Sequence, residues 1–215
     1  MRDLQILMND MIARGILIGP GHFVLGDGYG NPDKHCRLFV DWKKFNQALD
    51  LYAECVEHLA KSLEHLRPEM IITPDDESLP TARMLAKVLS ANSYQPPVPC
   101  HSQEECFIPE KPRTLVLIHD DFVNRGLQVK TLLDRLNRDH YQPIGVSSLF
   151  TRIAEKELEN LPVYCAVERT LVAVPSGECE ACRRGVPVNT DYGKGALFLE
   201  RRQAINAPKN DGPAK

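Results

Sequence analysis

The sequence has no apolar run near the roughly 20 residues that a helix needs to cross a bilayer, which argues against a helical membrane span. Its first residues, MRDLQILMNDMIARG, carry Asp3 and Asp10 and therefore lack the continuous apolar stretch of a secretory signal. A cytoplasmic protein is expected. Basic charge is not in excess either: 26 Lys and Arg stand against 29 Asp and Glu, a net charge of -3. Nucleic-acid binders usually show the opposite balance, so neither a nucleic acid nor a membrane is the expected partner. The dense basic pairs, Arg183-Arg184 and Arg201-Arg202, read as solvated surface. A disulfide rhythm is missing too. Cys36, Cys55, Cys100, Cys106, Cys165, Cys179 and Cys182 are an odd number, expected to be mostly free thiols in a reducing compartment. No Walker lysine loop, HExxH or GxSxG occurs. The glycine-rich Gly26–Gly30 does not open a helix and so is no dinucleotide fingerprint. Aromatics are sparse, and Trp42 and Phe45 are expected in the core rather than as stacking platforms.

What remains is an ordinary globular composition, 43% hydrophobic and 26% charged, over 215 residues; that suits one α/β domain with a sizeable core. Leu4, Leu7, Met8, Met11 and Ile12 form one helical stripe, with Gly15 as a stop. Two apolar runs, Phe23–Leu25 and Leu38–Val40, flank a Gly, Asn, Pro and Asp stretch and read as a hairpin with a long turn. Helical spacing returns from Phe45 to Leu66, with Leu49, Ala53, Val56, Leu59, Ala60, Leu63 and Leu66 inward. Met70–Thr73 is a short buried strand. Ser78 is a natural N-cap and Pro80 suits a first helical turn. Residues 93–113 hold five prolines and little periodicity, the pattern of a lid, a binding loop or a disordered segment.

Strands are expected at Thr114–Ile118, Ile144–Phe150 and Leu171–Val174, and helices from Val129 to Leu136 and over 153–160. Such alternation indicates βαβ units and a mostly parallel sheet flanked by helices. There is no internal repeat, and the residues from about Gln203 read as a disordered tail. In a parallel sheet, ligands gather beyond the carboxyl ends of the strands. Asp120 and Asp121 stand at such an end, just before a turn into a helix whose N-terminus suits a phosphate. Burying neighbouring carboxylates is costly unless something cationic or hydroxylic meets them, and the hydroxyls of a sugar phosphate would do so.

The stretch Leu115-Val116-Leu117-Ile118-His119-Asp120-Asp121-Phe122-Val123-Asn124-Arg125-Gly126-Leu127-Gln128 resembles the signature of type I phosphoribosyltransferases, in particular the orotate-specific ones. Gly21-His22-Phe23-Val24-Leu25 looks like the start of the orotate-type hood. Cys179-x-x-Cys182-x-x-Gly185-x-Pro187 looks like a C-terminal segment of some bacterial members. The elements follow in order across roughly residues 12–190. The resemblance implies a single domain over 1–202 with a hood from about 15–42 and 175–195, and a homodimer. It implies phosphoribosyl pyrophosphate carried with Mg²⁺, and a base displacing pyrophosphate through an oxocarbenium-like state. The catalytic pair would be Asp120 and Asp121 on the ribose hydroxyls, with Asn124, Arg125, Gly126 and Gln128 around the 5′-phosphate.

Departures from the family pattern are specific. Leu127 replaces the second loop glycine, and leucine resists positive φ. Asp75, Asp76 and Glu77 stand where relatives carry a small loop for pyrophosphate; Asp75 and Asp76 are ligand-facing in this reading, or else a solvated acidic helix start. The long loop offers only Lys111 and His101 in place of a basic run, and the hood has Gly26-Asp27-Gly28 where a lysine is expected before a Ser-Gly pair. A base other than orotate is therefore the expected acceptor. The alternative is a catalytically degenerate homologue that binds a nucleotide or sugar phosphate or serves as a protein-interaction module. Cys179 and Cys182 are half of a zinc site, which Cys165 or His35-Cys36 could complete in space.

Overall fold

The computed structural model describes residues 2–26, 32–93, 98–102, 112–136, 138–167 and 171–206. Residues 27–31, expected as part of a long turn, residues 103–111 with Lys111, and the last residues from 207 lie outside them. In chain order the elements are α1 (Leu4–Ala13), β1 (Leu17–Ile18), β2 (Phe23–Gly26), β3 (Pro32–Cys36), β4 (Phe39–Val40), α2 (Trp42–Gln47) and α3 (Leu49–Leu63). Then come β5 (Met70–Thr73), α4 (Leu79–Ser93), β6 (Cys100–Ser102), β7 (Thr114–His119), β8 (Phe122–Val123), α5 (Leu127–Arg135) and β9 (Tyr141–Thr151). The chain closes with β10 (Glu157–Leu158), β11 (Leu161–Val167), β12 (Val174–Pro175), a 3-10 turn at Ser176–Glu178, α6 (Glu180–Arg183) and α7 (Gly195–Asn206). Among the described residues, no helix is long and apolar enough to cross a membrane.

Two compact units result. The first holds Met1–Ile16 and Asp41–Val172; the second holds Leu17–Val40 and the segment from Ala173 onward. The first unit is built on a seven-stranded sheet ordered β10-β11-β9-β7-β5-β6, with β8 beside β9. Every pairing in it is parallel except β10 with β11. The central strands are apolar throughout rather than alternating, because both faces are covered: all four residues of β5 are buried. One face packs Met70, Ile72, Val116 and Ile118 against Val129, Leu132 and Leu133 of α5. The chain runs from β5 to β6 on one side, then crosses back to β7 on the other side of β5. That reversal puts a topological switch point at the carboxyl ends of β5 and β7, the usual place for a ligand crevice in an open α/β sheet.

α1 stops where expected: Gly15 adopts φ +64 and Ile16 donates its N–H back to the Met11 carbonyl. Elsewhere the structure departs from the sequence pattern. The helix expected over Phe45–Leu66 breaks at Ala48 (φ -90, ψ 69), which resets the phase. Leu49 is consequently exposed, while Leu51 and Cys55 join Val56, Leu59, Ala60 and Leu63 inside. Phe45 is fully buried against Phe150, ring centroids 4.9 Å apart, and Trp42 lies 5.4 Å from Phe45.

The segment 153–160 is not helical. Glu159 and Asn160 both take positive φ, 51 and 63, and make the two-residue turn of the β10–β11 hairpin. Glu155, Lys156 and Glu157 favour a helix, but the β-branched and aromatic run of β11 pairs in parallel with β9 and wins. The strand expected over Leu171–Val174 is reduced to Val174–Pro175. Part of the proline-rich 93–113 segment is a strand as well, since β6 pairs with β5. α7 reaches Asn206, so the polar stretch expected as tail from Gln203 begins as helix.

Leu132 is 1% exposed at the centre of the α5 face. Leu132→Ala should lower unfolding free energy by about 2–5 kcal/mol, read from denaturant titration, with an unchanged far-ultraviolet spectrum.

Candidate functional site

β7 ends at His119, and the chain then turns so that Phe122 and Val123 pair with Phe150 and Thr151 of β9. This sharp step fixes the backbone of the two acids. Asp120 donates its N–H to Ser147 O at 3.1 Å, and Asp121 O accepts from the N–H groups of Leu149 (3.1 Å) and Phe150 (3.2 Å). Ser148 adds a clip: its hydroxyl accepts from the Val123 N–H at 3.2 Å and bonds the Phe150 carbonyl. Asp120 is 4% exposed and its Oδ1 accepts from the Phe122 N–H at 3.1 Å. Asp121 is half-buried. None of the ion pairs among the described residues involves either acid. His119 supplies no countercharge, because burial pushes its pKa down to about 3 while Nδ1 bonds Ser147 Oγ at 3.0 Å.

The loop after β5 meets this pair. Ser78 was expected to cap α4 with its side chain. Its hydroxyl lies instead 3.4 Å from Asp121 Oδ1 and 3.3 Å from the Asp121 nitrogen. Asp75 takes over at the helix entry, Oδ1 accepting from the Ser78 N–H at 2.9 Å, and Oδ2 accepts from Gln128 Nε2 at 3.0 Å. Asp75, Ser78, Asp121 and Gln128 thus form one linked set. Asp76 and Glu77 are exposed. Burial is the main cause that lifts Asp120 to a pKa of about 7, with the charges of Asp121 and Asp75 adding to it. Burial again leads for Asp121, lifted to about 6, with Asp75 and Glu77 adding to it and the Ser78 hydroxyl opposing.

Asn124 and Arg125 follow, half-buried and exposed respectively. Gly126 turns the chain at φ 71 into α5, which has no side-chain cap. A β-carbon at Gly126 would approach the Leu158 side chain to 2.7 Å, so space and dihedral both call for glycine. Leu127, the departure from a glycine pair, is 46% exposed at the first helical position.

A second cluster lies in the other unit. His22, just ahead of β2, and His35 on β3 come together with Cys179 and Cys182, their ligand atoms all within 4.8 Å of one another. Cys165, weighed as a third ligand, instead donates from Sγ to the carbonyls of Leu149 and Val167. Cys36 donates to Leu38 O at 3.0 Å. His35 was weighed as a ligand in the sequence reading, whereas His22 entered it only as part of the hood segment. The signal lay in the hairpin, where Val24 pairs with His35 and so brings His22 to the same end. Ser78, Ser147 and Ser148 were also missed as supports of the acid pair; hydroxyls inside the buried run of β9 are the trace they leave.

The parallel sheet and its switch point define an open α/β fold, with the acid pair at the carboxyl end of a central strand. Among solved structures, the fold is similar to orotate phosphoribosyltransferase from Aeropyrum pernix, with a TM-score of 0.53 and 20% identity over 74% of this chain and 92% of that one. Orotate phosphoribosyltransferase from Francisella tularensis gives a TM-score of 0.53 at 14% identity, over 92% of this chain and 87% of that one. UMP synthase from Leishmania donovani gives 0.52 at 17% identity, over 75% of this chain but only 35% of that larger one. No family model matches the sequence, and no curated protein is similar to it in sequence. The chain has the type I phosphoribosyltransferase-like α/β fold.

The raised acids have a measurable consequence. The ordinary value of 3.8 is where the unfolded chain sheds these protons, whereas the folded chain keeps them to about 6 and 7. The contribution of the neutral pair is full below about pH 4 and lost as pH rises through 7. Asp120→Asn should therefore raise the melting temperature at pH 8 and flatten its fall between pH 5 and 8, read by thermal unfolding across pH. An equal fall in the variant would show that Asp120 is not the group responsible.

Proposed function

We propose that the crevice beyond β5 and β7 binds the ribose 5-phosphate part of phosphoribosyl pyrophosphate and transfers it to a nitrogenous base other than orotate. The observation that carries this reading is the Asp120–Asp121 pair, held by backbone bonds at the switch point and outside the ion pairs of the described residues. Ribose hydroxyls donate to such carboxylates, and positive charge developing at C1 of the sugar is stabilised beside them. The turn Asn124–Gly126 and the uncapped start of α5 offer N–H groups and a partial positive charge to the 5′-phosphate. Gln128 is tied to Asp75 and would have to exchange that bond for one to phosphate.

Asp75 and Glu77 shape how pyrophosphate can enter. Both raise the pKa of Asp121 by their charge, so a bare pyrophosphate meets repulsion. The Mg²⁺ complex carries its own positive charge to the same place, as Mg²⁺ commonly does with substrate phosphates. Binding should accordingly require the metal more strictly than a basic site would. The acidic loop also favours a second reading, in which the crevice takes a nucleoside monophosphate, which has no pyrophosphate to repel. Gly26-Asp27-Gly28, standing where the orotate-type pattern carries a lysine, argues against orotate, an anion.

Phosphoribosyl pyrophosphate with Mg²⁺ at roughly 100 times its dissociation constant should stabilise the protein by about 2.7 kcal/mol. The shift should vanish with a chelator and in Asp120→Asn/Asp121→Asn, and a panel of bases should then release pyrophosphate. A shift with nucleoside monophosphates alone would replace the transferase reading with the binding module. Unchanged binding in the double variant would overturn the role given to the acids.

A further inference from the structure

We propose that the second unit holds one structural zinc ion through His22 Nε2, His35 Nδ1 and the thiolates of Cys179 and Cys182. The edges of the cluster carry the argument. His22 Nε2 lies 3.6 Å from Cys179 Sγ and 3.5 Å from Cys182 Sγ, and His35 Nδ1 lies 3.3 Å from Cys182 Sγ. A regular tetrahedron with Zn–N of about 2.05 Å and Zn–S of about 2.3 Å has N···S edges of about 3.6 Å. The two imidazole nitrogens are 2.7 Å apart and need to open by roughly 0.6 Å to reach the corresponding N···N edge. Two nitrogens and two sulfurs in a closed tetrahedral set are the donors that select zinc.

The surroundings prepare the donors. His22 Nδ1 is 2.8 Å from the Val186 carbonyl, which can only accept, so Nδ1 carries the proton and Nε2 turns its lone pair to the centre. His35 is held edge-on by Phe198, ring centroids 4.8 Å apart. The Cys179-x-x-Cys182 segment is a tight knuckle: Arg183 donates to Cys179 O at 3.1 Å, and Gly185, at φ +67, donates to Cys182 O at 3.1 Å. Both sulfurs are thereby presented on one side. His22, His35 and Cys179 are buried, at 3%, 0% and 6% exposure, and all four protein ligands are present, so no coordination place is left for a substrate. The ion is structural.

Its task follows from where the ligands lie in the chain. Cys179 and His22 are 157 residues apart, and a metal between them ties the β2–β3 hairpin to the C-terminal segment. Among the described residues, the hydrophobic cluster of this unit has Phe23, Leu25 and Cys36 buried at its centre and Ile18, Phe39, Ala173 and Tyr192 packed on it. A module with so little apolar core commonly needs such a staple. The site is independent of the proposed chemistry at Asp120 and Asp121, and so is its test.

The full-length chain, produced in zinc-supplemented medium, should carry about one zinc per chain by native mass spectrometry and elemental analysis. Cobalt exchanged into it should give intense tetrahedral d–d bands and a thiolate-to-cobalt charge-transfer band. Cys182→Ser and His22→Ala should each cut bound zinc at least tenfold, whereas Cys165→Ser and Cys55→Ser should keep it. Because ligand variants can lose the fold of this unit, the cobalt spectrum of the unaltered chain decides independently. A metal-free chain from zinc-replete cells, a weak octahedral cobalt spectrum, or a Cys179–Cys182 disulfide detected by mass would each overturn the proposal.

Discussion

The burial of two adjacent carboxylates at the end of a central parallel strand is the constraint around which the first unit is arranged. Desolvation and mutual repulsion both disfavour ionising Asp120 and Asp121, and the fold supplies neither an arginine nor a charged histidine among the described residues. It supplies rigidity. Ser147 and Ser148 sit on β9, and the backbone groups of β9 from Ser147 to Phe150 take up those of the two acids. The side chains meet neutral donors instead of a cation: Asp120 Oδ1 accepts from the Phe122 N–H and Asp121 Oδ1 from the Ser78 hydroxyl. Such an arrangement stores a demand for hydroxyls or positive charge, which is why the proposed ligand is a sugar with a metal-bound pyrophosphate.

The sheet order explains how two distant loops share that demand. β5 and β7 are neighbours although α4 and β6 lie between them in the chain, and the crossing reverses direction at that point. The loop after β5 therefore faces the loop after β7, and Ser78 reaches Asp121 across 43 residues of sequence. Asp75 comes close enough for its charge to raise the pKa of both Asp120 and Asp121. The acidic loop after β5 is a poor match to a free anion and a better one to an anion carrying Mg²⁺. The Cys and His cluster in the other unit belongs to a different problem, the closure of a small unit on little apolar surface.

Much of the fold was legible because parallel strands covered on both faces are written as short apolar runs. Met70–Thr73 and the β7 run could be read directly, and the acid pair stands out at the end of the second. Local propensity misled where pairing partners decide. Residues 153–160 are rich in helix formers, yet β11 lends its neighbour a hairpin partner, and the turn at Glu159-Asn160 follows from that pairing. A single break at Ala48 rotated the whole face of α3, so that Leu49 points outward while Leu51 is inside. The role of Ser78 was misread for a related reason: a serine before a helix is the ordinary cap, but here a carboxylate from another strand competes for its hydroxyl.

The order of residues alone determined the class of fold, the strand that bears Asp120 and Asp121, the glycine at Gly126 and the Cys179–Cys182 pair, because each is a local pattern with a local cause. Tertiary structure decided which groups meet them: Asp75 and Ser78 at the acid pair, His22 and His35 at the cysteines, Ser147 and Ser148 beneath the turn. Those partners come from segments far apart in the chain. Their meeting depends on sheet order and register, which are set by long-range packing and leave no spacing to read along the sequence.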